Sequence, residues 1–324
     1  MKIRGKIVFA VIVMLLFPGL IGAAEKGPIQ IGVPTGSGEG LAYGVVMGLT
    51  TIVNREIPQL VRMTTEVSPG TVVNLEQMRQ KKVIVALSDT GGLYEAINAV
   101  GRYKDKPPLT GVSQLFDMYA RETYVLTPKG KPLKSIADLK GKRIHIGQAG
   151  SPSPDWTKRW LEGLGINFTP IMSAWADAAE GLQNGQIDAC VNAFGSYPYV
   201  AFTKVFYSFP VDWYSLSQEE IERSLKIYPN AVAMTVKPGP TMYKGVDHDV
   251  RTFASTMGLM VQDELGEDIV YSIIKSIMKF PQEVKAINPT VEYMLLPENQ
   301  VAVGKIVPLH KGTQKYLKET GALK

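Results

Sequence analysis

Apolar positions in the first hundred residues alternate between short buried runs and helical stripes. Pro28–Val33 reads as a buried strand, and the glycine-rich stretch Pro34–Gly40 reads as a tight loop. Ala42, Val45, Val46, Leu49, Ile52 and Val53 then recur at helical spacing until Pro58 ends the run. Val61–Val67 is a second strand. After Ser68-Pro69-Gly70 a helix opens near Thr71, with Val72, Leu75 and Met78 expected on its buried face. Val83–Leu87 is β-branched and apolar, hence a third strand, and it runs into a polar loop from Ser88 to Gly92 before another helix. Strand, loop and helix thus repeat three times, which predicts an α/β fold with a largely parallel sheet.

The same rhythm restarts in the middle of the chain. Ser135 and Asp138 carry the spacing of a capping box, and Lys140–Arg143 turns into a strand at Ile144–Gly147. Asp155–Leu164 is helical, with Trp156, Trp160, Leu161 and Leu164 on one stripe. Ser173 is expected to cap a helix reaching Gln183, and Asn184-Gly185 turns the chain into a strand at Ile187–Val191. The breaker cluster Lys237-Pro-Gly-Pro240 marks an expected crossing back to the first unit. Beyond it lie an apolar segment, Phe253–Val261, and helices near Glu267–Lys279 and His310–Thr320.

The N-terminus has a different character. Lys2, Arg4 and Lys6 precede an uninterrupted apolar run, Ile7–Phe17, and small residues Gly22, Ala23 and Ala24 stand before Glu25. That is the layout of a secretory signal peptide, and the run is well short of the roughly 20 residues that span a bilayer. Cleavage after Ala24 is therefore expected, with export to the periplasm. The whole chain has 324 residues, 35 Lys+Arg against 30 Asp+Glu and a net charge of +5. Removing 24 residues leaves 32 basic against 30 acidic side chains, so the high isoelectric point is mostly a property of the leader and a nucleic-acid partner is not expected. A single cysteine, Cys190, rules out an internal disulfide framework and a cysteine-cluster metal site.

Candidate chemistry narrows in the same direction. The Gly36-Ser-Gly-Glu-Gly40 loop lacks the Gly-Lys-Ser/Thr ending of a phosphate loop, and Tyr43 stands where the dinucleotide fingerprint needs glycine. His145, His248 and His310 are scattered without metal-ligand spacing, no nucleophile elbow is present, and Cys190 reads as a buried, inert thiol between Ala189 and Val191. No catalytic residue, metal or cofactor is expected. Four loops at strand ends instead carry small hydrogen-bonding residues: Thr35 and Ser37; Thr71 and Asn74; Ser88, Asp89 and Thr90; Ser151 and Ser153. In open α/β sheets ligands sit where such loops converge, and neutral donors there grip a small polar or anionic molecule without transforming it. Any one of these serines serves equally as a helix cap, so only their repetition carries the reading.

Several motifs together resemble the TAXI-type solute receptors of tripartite ATP-independent periplasmic (TRAP) transporters. They are Ile31–Ser37 followed by Tyr43; Glu66–Leu75; Ala86–Asp89; Ser135–Arg143 with Gly147 to Ser151; Leu182–Ala189; and Val307–Gly312. The resemblance implies a two-lobed periplasmic binding protein of type II, each lobe a mostly parallel sheet flanked by helices, joined by a hinge. Lobe 1 would comprise 25–123 plus 237–324, and lobe 2 residues 124–236. It implies a monomer that binds a glutamate-like or dicarboxylate solute and delivers it to a membrane permease. It would put Ser37, Gly38, Tyr43, Thr71, Asn74, Ser88 and Asp89 on one cleft wall, with Ser151, Ser153, Asn192 and Tyr197 on the other. Glu39, and the prolines at 152 and 154, depart from the family pattern. Two other classes share the architecture: an enzyme such as a pyrimidine-precursor synthase or a hydrolase, and a ligand-sensing module of a signalling system.

Overall fold

The computed structural model describes residues 27–38, 41–149, 153–195, 209–238 and 246–324; the leader-like segment lies outside them. Strand β1 (Ile29–Gly36) pairs in parallel with β2 (Val61–Val67). Helix α1 (Leu41–Glu56) makes the crossover and buries Val45, Val46, Leu49, Ile52 and Val53, the stripe that the spacing predicts. Helix α2 (Thr71–Arg79) leads to β3 (Val85–Asp89) and α3 (Thr90–Asn98). Three details differ from expectation. β1 continues to Gly36, because the Thr35 hydroxyl donates to the Glu66 carbonyl (2.9 Å) and keeps the strand pair together. Val72 is 45% exposed while Asn74 faces inward. Helix α3 opens at Thr90, so Ser88 and Asp89 close a strand and do not form a free loop.

The next strand, β4 (Val112–Pro128), is 17 residues long and almost wholly buried. A 3₁₀ turn, Ile136–Leu139, follows with the predicted Ser135/Asp138 capping box. Then come β5 (Arg143–His145), α4 (Ser153–Gly163), β6 (Thr169–Ile171), α5 (Trp175–Gln183) and β7 (Ala189–Gly195). The N-cap of α5 is Ala174, and the Ser173 hydroxyl donates to the Ala174 carbonyl instead of capping the helix. After β8 (Val211–Trp213), α6 (Gln218–Ile227) and β9 (Val232–Val236), the long strand β10 (Val250–Gln262) returns through the sheet. Helices α7 (Glu267–Met278), α8 (Pro281–Ile287), α9 (Pro297–Val303) and α10 (Lys311–Glu319) complete the fold.

The large sheet has the order β3-β10-β4-β7-β5-β6, with β8 added to β4 and β9 to β10. β5 pairs in parallel with β6 and β7, as helical crossovers require. β4 and β10 run antiparallel to each other, β10 to β3, and β4 to β7, so the sheet is mixed, with helices packed around it. One outward and one return passage of the chain must point in opposite directions, which is why these two long strands break the parallel pattern.

The apolar clusters part along those strands. Leu115, Phe116, Met118 and Tyr119 of β4 pack with Met257, Leu259 and Val261 of β10 against α1 and α7. Farther along, Val125 of β4 and Phe253 of β10 pack with Trp160, Leu161 and Ile221. Between the two lies a polar stretch in which Arg121 pairs with Ser255, and Glu122 with Ala254. The strands come unusually close at Gly258, where a Cβ would lie 2.5 Å from the Phe116 carbonyl oxygen.

Candidate functional site

A cavity of about 340 Å³ opens beside that polar stretch. From one side it is lined by Thr71 at the start of α2, Asp89 and Gly91 at the β3–α3 junction, and Glu95 and Arg102. Arg121 of β4 and Ser255 of β10 form its floor, and Trp156 and Arg159 of α4 with Tyr228 and Asn230 form the other side.

Asp89 is the N-cap of α3. Its Oδ1 accepts from the Gly92 N–H (2.7 Å) and from the Arg102 Nη2 (3.0 Å). Burial works to raise this carboxyl, but the Arg102 and Arg121 guanidiniums outweigh it and hold Asp89 below the usual carboxylate range. Arg102 also bonds Glu95 through Nε (2.6 Å), so both carboxylates of the cavity are spent on one guanidinium. Arg121 donates from Nη2 to the Ser255 hydroxyl (2.8 Å), which aims its side chain along the floor.

The opposite wall is aromatic. The Trp156 and Tyr228 rings stack at 3.8 Å between centroids and 5° between planes. Trp156 Nε1 donates to the Thr123 hydroxyl (3.0 Å), and the Tyr228 hydroxyl donates to the Trp156 carbonyl (2.6 Å). The Arg159 guanidinium carbon lies 4.9 Å from the Tyr228 ring centroid, and its Nη2 donates to the Ile227 carbonyl (3.2 Å). Among the described lining residues three arginines stand against two carboxylates, a net positive charge. No His, Cys or Ser among the described lining residues stands beside a base in the way that a nucleophile requires.

Among the residues predicted from sequence, Thr71 and Asp89 meet in this cavity. Ser37 and Gly38 are exposed beyond β1, and Tyr43 is half-buried on α1; none of the three lines it. Asn74 is fully buried, and its Nδ2 donates to the carbonyls of Pro34, Thr35 and Leu87 at 2.9–3.1 Å, tying α2 to the ends of β1 and β3. Ser88 is buried in β3 opposite Gly258. Ser153 opens α4, packed so near Gly147 that a Cβ there would lie 2.7 Å from its own. Asn192 is in β7 opposite Tyr124, and Ser151 and Tyr197 lie outside the described residues, as does Glu39. Beside Thr71 and Asp89 the cavity is lined by Arg102, Arg121, Arg159 and Tyr228, which are not among the residues that the strand-end loops point to. The spacing of Trp156 and Arg159, one helical turn apart just after a strand-end loop, is the signal that was available.

Elsewhere, Cys190 is buried and its thiol is pushed far up by burial, as expected of an inert core residue. His145 is buried, with Nε2 3.0 Å from the Ser173 carbonyl oxygen. Among the described residues no group of three or more His, Cys, Asp or Glu is placed to hold a metal ion, and no helix is long and apolar enough to cross a membrane.

The two walls nearly touch at Gly91, where a Cβ would lie 2.6 Å from Asn230 Nδ2. A Gly91→Ala change is expected to be absorbed by a swing of the Asn230 amide. Gly91→Leu should fill the cavity, and a small molecule that binds there should lose at least tenfold in affinity with helix α3 intact, read by calorimetric titration beside circular dichroism.

A putative aliphatic sulfonates-binding protein of Escherichia coli (strain K12) is 37% identical over 68 residues, which is 20% of this chain and 21% of that protein. The chain thus spans about a fifth of the length of this curated relative. The crystal structure of a TctC solute binding protein from Polaromonas superposes with a TM-score of 0.55 at 14% identity, over 81% of this chain and 87% of that one. A TRAP periplasmic solute binding protein from Rhodobacter sphaeroides covers 91% of each chain at 14% identity, with a TM-score of 0.45. The profile of the NMT1-like family matches residues 33–321. Taken with a mixed α/β fold shared with periplasmic solute-binding proteins, that match shows that the chain belongs to the NMT1-like family.

Proposed function

We propose that this protein is an extracytoplasmic solute receptor that captures a small organic anion in the arginine-lined cavity and passes it to a membrane permease. The observation that carries the reading is the convergence of Arg121 and Arg159 on one cavity whose carboxylates are already paired with Arg102. Guanidiniums bind carboxylate and sulfonate oxygens in forked, charge-assisted geometry. Dicarboxylates and glutamate-like acids fit the chemistry, and the name of the Escherichia coli relative supports adding sulfonates. The basic, apolar and small-residue succession before Glu25 supports export through a cleaved leader. The motif order from Ile31 to Gly312 supports a TAXI-type receptor with a TRAP permease as its partner.

In this reading the solute sits between two lobes, one of 25–123 with 237–324 and one of 124–236. The flexing zone is the polar stretch where β4 and β10 cross, Arg121–Thr123 beside Thr252–Ser255. Closure of the lobes sequesters the solute and creates the surface that a permease reads. Native mass spectrometry of gently purified protein, followed by titration with glutarate, glutamate and ethanesulfonate, tests it. One-to-one binding with the compound recovered unchanged supports the reading. Chemical conversion of the bound compound, or no binding of any organic anion at millimolar concentration, refutes it.

A further inference from the structure

We propose that the basic segment Lys129–Arg143 is a docking surface for an acidic segment of a partner protein. The inference rests on the receptor reading in taking the membrane permease as that partner, and it names the face of the receptor that the permease meets.

The first argument is where the charge lies. Residues 25–324 hold 32 basic and 30 acidic side chains. Six of the basic ones, Lys129, Lys131, Lys134, Lys140, Lys142 and Arg143, fall within fifteen residues that contain a single acid, Asp138. All six are exposed. Taking these residues away leaves 26 basic against 29 acidic side chains, so the segment is opposite in sign to the remainder. Like charges gathered in this way repel one another over about 8 Å at physiological salt. Among the described residues only Lys129 and Arg143 of the six have an acid within ion-pair distance, Asp212 and Asp188, each at 2.9 Å. The fold makes no direct ion pair of the other four, so their concentration on one face is explained by something outside the fold.

The second argument is how the segment is held. Nearby acids bind its main chain. The Gly130 N–H donates to Asp212 Oδ2 (2.7 Å), the Lys134 and Ser135 N–H groups to Asp138 Oδ2 (2.7 and 3.0 Å), and the Arg143 N–H to Asp188 Oδ2 (2.8 Å). Asp138 is held below the usual carboxylate range first by those two N–H groups, ahead of the ammoniums of Lys134 and Lys142. The backbone is thus pinned near its start, middle and end, and the lysines along it stay exposed. A surface ordered before its partner arrives loses little entropy on docking.

The third argument is shape. Two hollows of about 410 and 470 Å³ flank the segment and share Thr127, Pro132 and Leu133. Lys129, Lys134 and Arg251 lie on the first, and Lys131, Lys142 and Arg143 on the second. Three of the four acids in these hollows are the ones that pin the backbone, and the fourth, Asp247, faces His248 Nδ1 at 2.7 Å. An extended acidic peptide can lay side chains into both hollows, whereas a flat layer of lipid headgroups reaches neither floor. The concavity favours a protein partner over a membrane surface.

The test measures binding of a fluorescent decaglutamate peptide to the full mature protein by anisotropy, at about 50 mM and about 200 mM salt. The peptide should bind at the lower salt and weaken at the higher. Lys131→Glu/Lys134→Glu/Lys142→Glu should lower its affinity at least tenfold. Lys305→Glu/Lys311→Glu/Lys318→Glu, an equal change of charge on exposed lysines outside both hollows, should keep it within about twofold. If the first variant loses its circular dichroism signature, Lys131→Gln/Lys134→Gln/Lys142→Gln takes its place and should still weaken the peptide about fivefold. Equal losses in both glutamate triples, or no binding of the peptide to wild type, overturn the inference. Tighter adsorption of wild type to vesicles of phosphatidylglycerol and phosphatidylethanolamine than to the peptide, abolished by the same triple, also overturns it and makes the face a membrane contact. Titration with glutarate, glutamate and ethanesulfonate in parallel keeps the two readings apart. Failure of the peptide alone leaves the receptor reading standing, and failure of the small anions alone removes that reading and leaves the basic docking surface.

Discussion

Arg121→Gln is expected to weaken the binding of a small organic anion by about ten- to a hundredfold, the equivalent of one or two charge-assisted hydrogen bonds. Arg121 sits where β4 pairs with β10, fixed by its bond to Ser255, so its position is set by the two strands that form the floor of the cavity. A loop residue would move with its loop; this guanidinium is preorganised, and a ligand spends little entropy ordering it. The substitution also removes one of the two positive charges that hold the Asp89 carboxyl down, so that carboxyl should titrate at higher pH in the variant. Arg121→Lys keeps the charge and loses the fork, and should recover part of the affinity. Arg55→Gln, in the exposed pair with Glu283 (2.8 Å) away from the cavity, is the control and should bind normally. Isothermal titration of the three variants reads the result; an unchanged affinity in Arg121→Gln would remove this residue from the site.

The second large effect concerns stability. Asp117 lies fully buried in β4, and its Oδ1 accepts from the Thr90 hydroxyl (3.2 Å) and Gln114 Nε2 (2.5 Å). Burial pushes this carboxyl up to about 7, against the hydrogen bonds from Gln114 and Thr90 that pull the other way. The folded protein therefore keeps this proton up to about pH 7, while the unfolded chain releases it near the ordinary aspartate value of about 4. Between those two values the folded state binds more protons, so this group's contribution to stability is greatest at low pH and falls as pH rises through that window. Three pH units correspond to about 4 kcal/mol. Buried His145 and His310 are both held below their ordinary value, so each favours the folded state more as pH rises, the opposite slope. Comparing wild type with Asp117→Asn cancels them. Denaturant unfolding should find the variant little changed at about pH 4, where little of this contribution has yet been lost, and more stable than wild type at pH 8 by a few kcal/mol. An equal difference at both pH values would show that Asp117 is not the titrating group.

Asp117 also shows why half of the central architecture was hard to read from sequence. The run from Val112 to Pro128 holds Ser113, Gln114, Asp117, Arg121, Glu122, Thr123 and Thr127, too polar for a buried strand by pattern alone. Main-chain groups of this strand are bonded by residues far along the chain. Gln300 accepts from the Asp117 N–H (2.8 Å) and donates to its carbonyl (2.9 Å), and Thr313 donates to the Leu115 carbonyl (2.6 Å). Partners nearly two hundred residues away leave no local signature. By contrast, α1 and β2 were legible almost to the residue, since each buries its own periodic stripe.

The site divides in the same way. Thr71 and Asp89, which line the cavity, stand out in the sequence because they sit at strand and helix ends, where short polar residues are conspicuous. Arg102, Arg121 and Arg159 look like ordinary solvated charges in a single sequence, and only the fold shows that three separate segments bring them to one cavity. Glu220 is a further case. It sits beside Glu219 on what reads as a solvated helix start, yet it is buried and accepts from the backbone N–H groups of Ile136 and Ser217.

The position of β10 has a consequence for how the chain comes to be folded. This strand is inserted between β3 and β4, yet it follows β4 by more than a hundred residues. A chain emerging from its N-terminus would hold β3 and β4 apart, with an open slot between them, until residue 262 was free to fill it. Pairing at such sequence separation is slow, because the intervening loop must be closed before any contact repays the ordering. Neither apolar layer over these strands can finish early, and the polypeptide stays loose while its last third is still arriving. On the export route proposed above, late assembly of the central strand keeps the chain in a form that can be threaded through a membrane.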